Sequence, residues 1–213
     1  MSEISIYNIG QIIGTHIAKK VNKPEKANQL SYGAELLIGG AVKTTILLVA
    51  SIILGIVTEV ILLVLVVAGM RALSGGAHCT AYYRCLIASV IIFVSIGYAI
   101  KIIYPLLSIL SPAVLGGIIF LYIYLYWCYG PQAPVNKPFQ NEAVEAAFRR
   151  HTLMAVLILS LVSIMLGVKS LISWIIVIGL LWQAFTLTNS GHKCIKFIDD
   201  LLDYEKDGGE KNV

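Results

Sequence analysis

A histidine and two cysteines lie close together in a short polar segment between long apolar stretches. The segment runs from Arg71 to Cys85 and contains His78 and Cys79. A cysteine becomes a nucleophile when a nearby base or cation stabilises its thiolate. Imidazole is a suitable base at neutral pH. These residue types therefore indicate a thiol nucleophile activated by a histidine.

The spacing decides which thiol the histidine can reach. On a continuous helix, Cys79 would point about 100° away from His78. Cys85 would share the histidine's face, but would lie roughly 10 Å away at 1.5 Å per residue. Contact with Cys85 therefore requires an interrupted helix, and the pair Gly75-Gly76 is expected to interrupt it. The spacing also leaves open an interfacial histidine and a small packing cysteine.

Other groups of the same segment suit this chemistry. Arg71 and Arg84 would favour a thiolate and are candidates to hold a substrate carboxylate. Backbone N–H groups after the second apolar run are candidate oxyanion donors. They belong to Ser74, Gly75, Gly76 and Ala77.

The composition indicates a membrane protein. Of the 213 residues, 58% are hydrophobic and 13% are charged, and the mean hydropathy is +0.83. Soluble domains are about 45–50% apolar with roughly 25% charged residues, so no globular core of this size could bury so much apolar surface. Long continuous apolar runs predict transmembrane helices. We expect an all-α, polytopic integral membrane protein.

Six apolar runs predict about six transmembrane helices. The runs are 32–57, 60–70, 86–100, 104–127, 152–167 and 171–187. The second is short, and predicts either a tilted span or a half-helix that stops inside the bilayer. Pro105 and Pro112 predict a kink or a late start in the fourth.

An amphipathic helix is expected before the first span. Apolar residues at helical spacing in 4–21 favour a helix lying in the membrane interface, and an ordinary helix packed on loops is the alternative. We expect a single membrane domain over 1–213. Its parts are an N-terminal helix and hinge (1–29), a transmembrane core (30–188) with an active-site loop (71–85), and a cytoplasmic tail (189–213). The tail contains a short amphipathic stretch (194–202) and is expected to fray.

The distribution of Lys and Arg predicts the orientation in the cell membrane. The connections on one side carry only Lys101 and Lys169, whereas the other side carries the remaining basic residues of the connections. The positive-inside rule then places both termini and the active-site loop on the cytoplasmic side, where thiols stay reduced.

Cofactors and nucleic acid are not indicated. The histidines at 16, 78, 151 and 192 lack the spacing of metal ligands, and no nucleotide-binding loop is present. The net charge of +4 includes no basic run typical of nucleic-acid binding. We therefore expect no metal, no cofactor and no nucleic-acid partner.

Three stretches resemble one known family. The segment Arg71…Gly75-Gly76-Ala77-His78…Cys85 is similar to the signature of the accessory gene regulator B (AgrB) family of Gram-positive bacteria. The loop 129–138 resembles a Gly-Pro-x-x-Pro-x-x-Lys-Pro-like stretch of that family, and 183–187 resembles a third stretch. Cys79 departs from the pattern, because it places a second thiol beside the histidine.

The resemblance implies a membrane-embedded cysteine endopeptidase that processes an AgrD-type propeptide in quorum sensing. It implies that His78 is the base and Cys85 the nucleophile, and that the protein forms a homodimer in the lipid bilayer. The expected reaction cleaves the C-terminal part of the propeptide through a Cys85 thioester. A cysteine or serine of the peptide then closes a thiolactone or lactone ring.

Several polar residues are candidates for substrate binding. Asn136 and Lys137 lie on a loop stiffened by prolines. Arg149 and Arg150 either receive an acidic part of the propeptide or only obey the positive-inside rule. Gln183 is either functional or makes an interhelical hydrogen bond.

A transporter or channel that uses His78 as a proton or ligand site is the main alternative function. The short second span and the prolines of the fourth would suit a transport path. The absence of an evident internal repeat counts against it. A non-catalytic membrane scaffold is a further alternative.

Overall fold

The computed structural model describes residues 6–77, 79–133, 139 and 141–203. This part of the chain folds into α-helices and one short 3-10 turn (Pro24–Lys26), without a strand, which confirms the all-α class. The helices are α1 (Ile6–Lys20), α2 (Ala27–Leu54), α3 (Val57–Ser74), α4 (Tyr82–Leu107), α5 (Pro112–Tyr129), α6 (Glu142–Leu166), α7 (Leu171–Leu187) and α8 (Asn189–Leu201).

Five to six of these helices are candidate membrane spans. Helices α2 to α6 are each long and apolar enough to cross a bilayer, and α7 qualifies together with α8 although the two are bent by 85°. Their outer surfaces are apolar: Ile53 and Met165, for example, are 77% and 78% exposed. Because such surfaces need lipid as their solvent, the fold fits the expected multi-pass membrane protein.

Helix α3 is longer than the apolar run that predicted it. The apolar run ends before Glu59 on one side and Arg71 on the other, but both charged residues are helical, and α3 has 18 residues in all. At 1.5 Å per residue it spans about 27 Å, close to the hydrocarbon thickness of about 30 Å. It is still shorter than α2, α4 and α6, which have 28, 26 and 25 residues.

The fourth span starts late, as its prolines suggested. Helix α4 continues through Pro105 to Leu107, and α5 begins at Pro112. A proline in the first helical turn costs no hydrogen bond, because that N–H has no helical partner. Helix α6, in turn, begins well before its apolar run, where the Asn141 side chain accepts a hydrogen bond from the Val144 amide at 2.9 Å.

The expectation that the tail frays is wrong for residues 189–201, which form helix α8 around most of the expected amphipathic stretch. Helix α8 is capped by Thr188, whose hydroxyl accepts a hydrogen bond from the Gly191 amide at 3.1 Å, and it buries Ile195 and Asp199. With 13 residues it is about 20 Å long, too short to cross a bilayer of about 30 Å by itself.

Contacts group the chain into two compact units, Met1–Ala50 and Ser51–Val213. In the first, a Cβ at Gly14 would overlap the backbone of Ser31, so the glycine lets α1 approach α2 closely. In the second, α7 is central and packs against α3, α5 and α6. Ile175, Val177 and Leu180 of α7 are fully buried. The single domain over 1–213 stays a prediction.

Two ends of the second unit differ in their polar contacts. At one end, Lys101 Nζ donates a hydrogen bond to the Gly55 carbonyl at 2.8 Å, and the Tyr104 hydroxyl donates to the Lys169 carbonyl at 2.7 Å. At the other end, α3, α5 and α7 terminate while α4 and α6 begin. The polar segment that starts at Arg71 lies at this second end.

Candidate functional site

The polar segment breaks the helix at the double glycine, as predicted. Helix α3 ends at Ser74 and α4 begins at Tyr82. Gly75 has φ 70° and Gly76 has φ 125°, a region that residues with a Cβ rarely adopt. A Cβ at Gly75 would also overlap the Gln132 carbonyl oxygen. The turn therefore depends on glycine both for its conformation and for its close packing.

The end of α7 holds this turn in place. The fully buried Gln183 donates from Nε2 to the Gly75 carbonyl at 2.7 Å and to Ser74 Oγ at 3.1 Å. The Ala77 amide donates to the Thr186 carbonyl at 3.2 Å. The interhelical hydrogen bond considered for Gln183 is thus present, and it fixes the double-glycine turn.

A second support comes from Gln132, which sequence reasoning did not single out. Its backbone amide donates to the Ser74 carbonyl at 2.8 Å, and its side-chain Nε2 donates to the Leu187 carbonyl at 2.6 Å. His192 Nε2 lies 2.9 Å from Gln132 Oε1. The only signal for Gln132 in the sequence was its place in the Gly-Pro loop. The predicted binding residues of the same loop, Asn136 and Lys137, lie outside the described residues.

Cys85 lies in the first turn of α4, where its amide donates to the Ala81 carbonyl at 3.0 Å. It is partly buried and packs against a cluster of buried residues that includes Ala77 and Cys79. Its Sγ is 4.0 Å from Ser89 Oγ. His78 lies outside the described residues, but both of its neighbours in the chain belong to the cluster that contacts Cys85.

Arg71 brings a positive charge to the thiols. Its guanidinium donates a hydrogen bond to the Ala77 carbonyl. It also interacts electrostatically with Cys85 and, more weakly, with Cys79. Cys85 also lies in the first turn of α4, where the positive end of the helix dipole favours negative charge.

Arg84, unlike Arg71, pairs with carboxylates in and just after helix α8. Its guanidinium lies 3.7 Å from Asp199 and 2.8 Å from Asp203. It also donates to the Tyr83 hydroxyl at 3.0 Å and to Thr80 Oγ1 at 3.3 Å. A substrate carboxylate could reach Arg84 only by displacing these groups.

Asp199 is the centre of that contact. It accepts hydrogen bonds from the Thr80 amide at 3.2 Å and from the Thr80 hydroxyl at 2.7 Å. Burial raises the pKa of Asp199, but the hydrogen bonds from Thr80 and the charge of Arg84 outweigh it and hold the pKa below its usual range. Asp199 is therefore an ionised partner of Arg84 at neutral pH.

Two of the candidate oxyanion donors are already in use. The Gly75 amide donates to the Arg71 carbonyl at 2.9 Å, and the Ala77 amide to Thr186. Ser74 lies in the last turn of α3. The Gly76 amide makes no hydrogen bond to any residue that the structure describes.

Arg149 and Arg150 lie in the N-terminal part of α6, at the end of the second unit that holds the polar segment. Arg149 Nη2 donates to the Trp127 carbonyl at 2.9 Å, and its guanidinium lies 5.1 Å from the centre of the Trp127 ring. Arg150 is exposed. Arg149 thus satisfies a carbonyl in the last turn of α5, while substrate binding by either residue stays a prediction. Within residues 6–77, 79–133, 139 and 141–203, no group of three His, Cys, Asp or Glu side chains could hold a metal ion.

Comparisons with known proteins agree on one family. Residues 9–187 match the family model for accessory gene regulator B. AgrB-like protein 2 of Clostridium perfringens strain 13 is 26% identical over 208 residues, which cover 91% of this chain and 96% of that protein. An AgrB-like protein of Clostridium perfringens strain SM101 is 25% identical over 207 residues, with the same 91% and 96% coverage.

A third relative is the protein FsrB of Enterococcus faecalis strain OG1RF. It is 26% identical over 162 residues, which cover 76% of this chain and 64% of FsrB. No solved structure matches the chain significantly. Because the family match extends over most of the sequence and includes the whole segment from Arg71 to Cys85, the chain belongs to the accessory gene regulator B family.

Proposed function

We propose that this protein is a membrane-embedded cysteine endopeptidase that cleaves an AgrD-type propeptide and promotes cyclisation of the product. The family to which it belongs is involved in processing the propeptides of quorum-sensing autoinducers. The observation that carries the proposal is the position of Cys85. It interacts electrostatically with Arg71 and packs against a buried cluster that includes both chain neighbours of His78.

The first step forms an acyl-enzyme. His78 takes the proton of the Cys85 thiol, and the charge of Arg71 stabilises the resulting thiolate. The thiolate attacks the scissile carbonyl carbon, and the Gly76 amide is the candidate donor to the oxyanion that develops. The C–N bond then breaks, and the leaving nitrogen takes the proton from His78. The C-terminal fragment departs, and the rest of the peptide remains as a Cys85 thioester.

The second step closes the ring. A thiol or hydroxyl of the bound peptide gives its proton to His78 and attacks the thioester carbonyl. The bond to Cys85 breaks, and the cysteine recovers a proton, so that the step needs no cofactor and no oxidant. Thioester exchange is nearly balanced in free energy, and hydrolysis by water is the competing reaction. The buried side chains of Ala77 and Ile195 support the exclusion of water beside Cys85.

Substrate recognition and topology belong to the same proposal. Arg150, Asn136 and Lys137 are the candidates to bind an acidic part of the propeptide, because Arg149 is engaged by Trp127. The site and both termini lie on the cytoplasmic side, and the protein acts as a homodimer. The excess of basic residues at the end that holds the site supports this orientation.

Purified protein in liposomes, with a synthetic propeptide tagged at its C-terminus, tests the proposal. We expect Cys85→Ala and His78→Gln to lower the rate of tag release by more than about 100-fold. Cys79→Ser is the matched control, since it removes the neighbouring thiol, and should cleave at close to the wild-type rate. Tag release by Cys85→Ala at the wild-type rate would disprove the thiol mechanism. Solute flux without any cleavage would favour the transporter.

A further inference from the structure

We infer that helix α8, together with Asp203 just after it, is a clamp that fixes the first turn of α4, and with it the Cys85 thiol, and that Asp199 and Asp203 are its positioning residues. Its effect on catalysis rests on the proposed peptidase function. Helix α8 begins at Asn189, after residues 9–187 that match the family model. The family match therefore assigns no role to it.

The clamp begins at the start of α4. The first N–H groups of a helix lack helical acceptors, and Ala81, at the N-cap position, has no side chain that can accept from them. The Asp199 carboxylate comes from α8 and accepts from the amide and the hydroxyl of Thr80, the residue just before the N-cap, so it fixes the entry of the chain into α4. Its negative charge also complements the positive end of the α4 dipole.

Arg84 makes the second connection. It is the residue before Cys85, and only 8% of its surface is exposed. Its guanidinium is paired with Asp199 and, at 2.8 Å, with Asp203. A charge this buried is stable only when it is paired. Both carboxylates therefore hold the turn that carries the thiol.

An apolar contact completes the clamp. Ile195 of α8 is buried in one cluster with Ala77, Cys79 and Ala88, and Cys85 and Ile198 pack against that cluster. The apolar face of α8 thus covers both the turn that carries the thiol and the two neighbours of His78. Gly191 makes the bend into α8 possible, because a Cβ there would overlap the Phe185 carbonyl.

The clamp predicts a particular kinetic pattern. Loosening α8 should leave the bundle intact, but it should let the first turn of α4 move and expose Cys85. We therefore expect a lower kcat with little change in KM, together with faster alkylation of the thiol. A general loss of fold would instead lower the amount of active enzyme and leave the alkylation rate of the folded fraction unchanged.

The test uses a background in which Cys85 is the only thiol (Cys79→Ser, Cys128→Ser and Cys194→Ser) and which still cleaves the propeptide. In proteoliposomes, Asp199→Asn should lower kcat at least about 10-fold, change KM less than about twofold, and raise the rate of alkylation by iodoacetamide several-fold. Asp199→Glu, which keeps the charge, should recover part of kcat. Lys196→Gln, an exposed change on the same helix, is the matched control.

The outcomes separate the clamp from the peptidase proposal. If Asp199→Asn changes neither kcat nor alkylation, or raises KM alone, the clamp is disproved. If Cys85→Ala still releases the tag, the peptidase proposal fails, and the alkylation rates alone decide the clamp. If Asp199→Asn does not accumulate, Asp203→Asn tests the clamp in its place. We then expect the same lower kcat, nearly unchanged KM and faster alkylation of Cys85. The double variant Asp203→Asn/Arg84→Gln should lose no more activity than the worse of the two single variants, because both substitutions break the same Arg84–Asp203 ion pair.

Discussion

The side-chain amide of Gln183 donates a hydrogen bond to the Gly75 carbonyl at 2.7 Å, which fastens the double-glycine turn to the central helix of the bundle. The same nitrogen donates to Ser74 Oγ. Two consecutive residues of this turn therefore share one buried donor. The position of the loop depends on a residue that lies 108 positions away in the sequence.

Gln183→Met should consequently damage the site as well as the fold. The substitution keeps the volume but leaves the Gly75 carbonyl without its buried donor, at a cost of about 1–3 kcal/mol. We expect the thermal unfolding midpoint to fall and propeptide cleavage to drop at least about 10-fold. Gln11→Met, the same change outside the site, should leave cleavage unchanged. Full activity in Gln183→Met would show that this contact does not hold the loop.

Gly75→Ala should inactivate the enzyme. The added Cβ would overlap the Gln132 carbonyl oxygen. The Gly75 backbone, at φ 70° and ψ −144°, also lies in a region that costs a residue with a Cβ about 1–3 kcal/mol. Gly116→Ala in α5 is the matched control, because its Cβ would meet nothing within 4 Å and alanine favours a helix. Cleavage rates and unfolding midpoints of the two variants check this. Equal activity would mean that the turn tolerates a side chain.

Local features of the chain could be predicted from the sequence, but partners distant in the sequence could not. The apolar runs gave the spans and Gly75-Gly76 gave the helix break, because hydrophobicity and backbone freedom are properties of neighbouring residues. The pair Thr80–Asp199 joins residues 119 positions apart. Nothing in the charged tail indicates which cation its carboxylates will meet. The sequence therefore predicted a substrate-binding role for Arg84 and a fraying tail.

Arg71→Gln should slow the reaction of the Cys85 thiol. The guanidinium interacts electrostatically with Cys85, and a cation beside a thiol favours its reaction as a nucleophile. In the background with only Cys85, we expect the alkylation rate at pH 7.5 to fall several-fold. Arg71→Lys, which keeps the charge, should lose less, and the exposed Arg150→Gln should lose nothing. An unchanged rate in Arg71→Gln would remove Arg71 from the activation step.

The proposed orientation predicts which ends accept a label from outside. A single cysteine introduced at exposed Lys193, in a protein without other cysteines, should react with a membrane-impermeant maleimide only in inverted vesicles. A cysteine at exposed Lys169, at the opposite end of the second unit, should react only in right-side-out vesicles. Permeabilised vesicles should label both positions and serve as the control. The reverse pattern would place the site outside the cytoplasm.

The Tyr122–Ser160 pair predicts a change in stability without a change in activity. The two buried oxygens are 2.7 Å apart, and Ser160 Oγ also donates to the Val156 carbonyl, so the Tyr122 hydroxyl is the donor to Ser160. Tyr122→Phe removes this donor and leaves Ser160 bonded, at a cost of about 1 kcal/mol. Ser160→Ala leaves the Tyr122 hydroxyl buried without its acceptor and should cost about 1–3 kcal/mol.

Although each substitution removes one hydroxyl oxygen, Ser160→Ala should thus be the more destabilising one. Unfolding midpoints in one detergent check the order, and propeptide cleavage by the folded fraction should remain at the wild-type rate in both variants. The reverse order of midpoints would mean that the tyrosine hydroxyl finds another acceptor once Ser160 is gone.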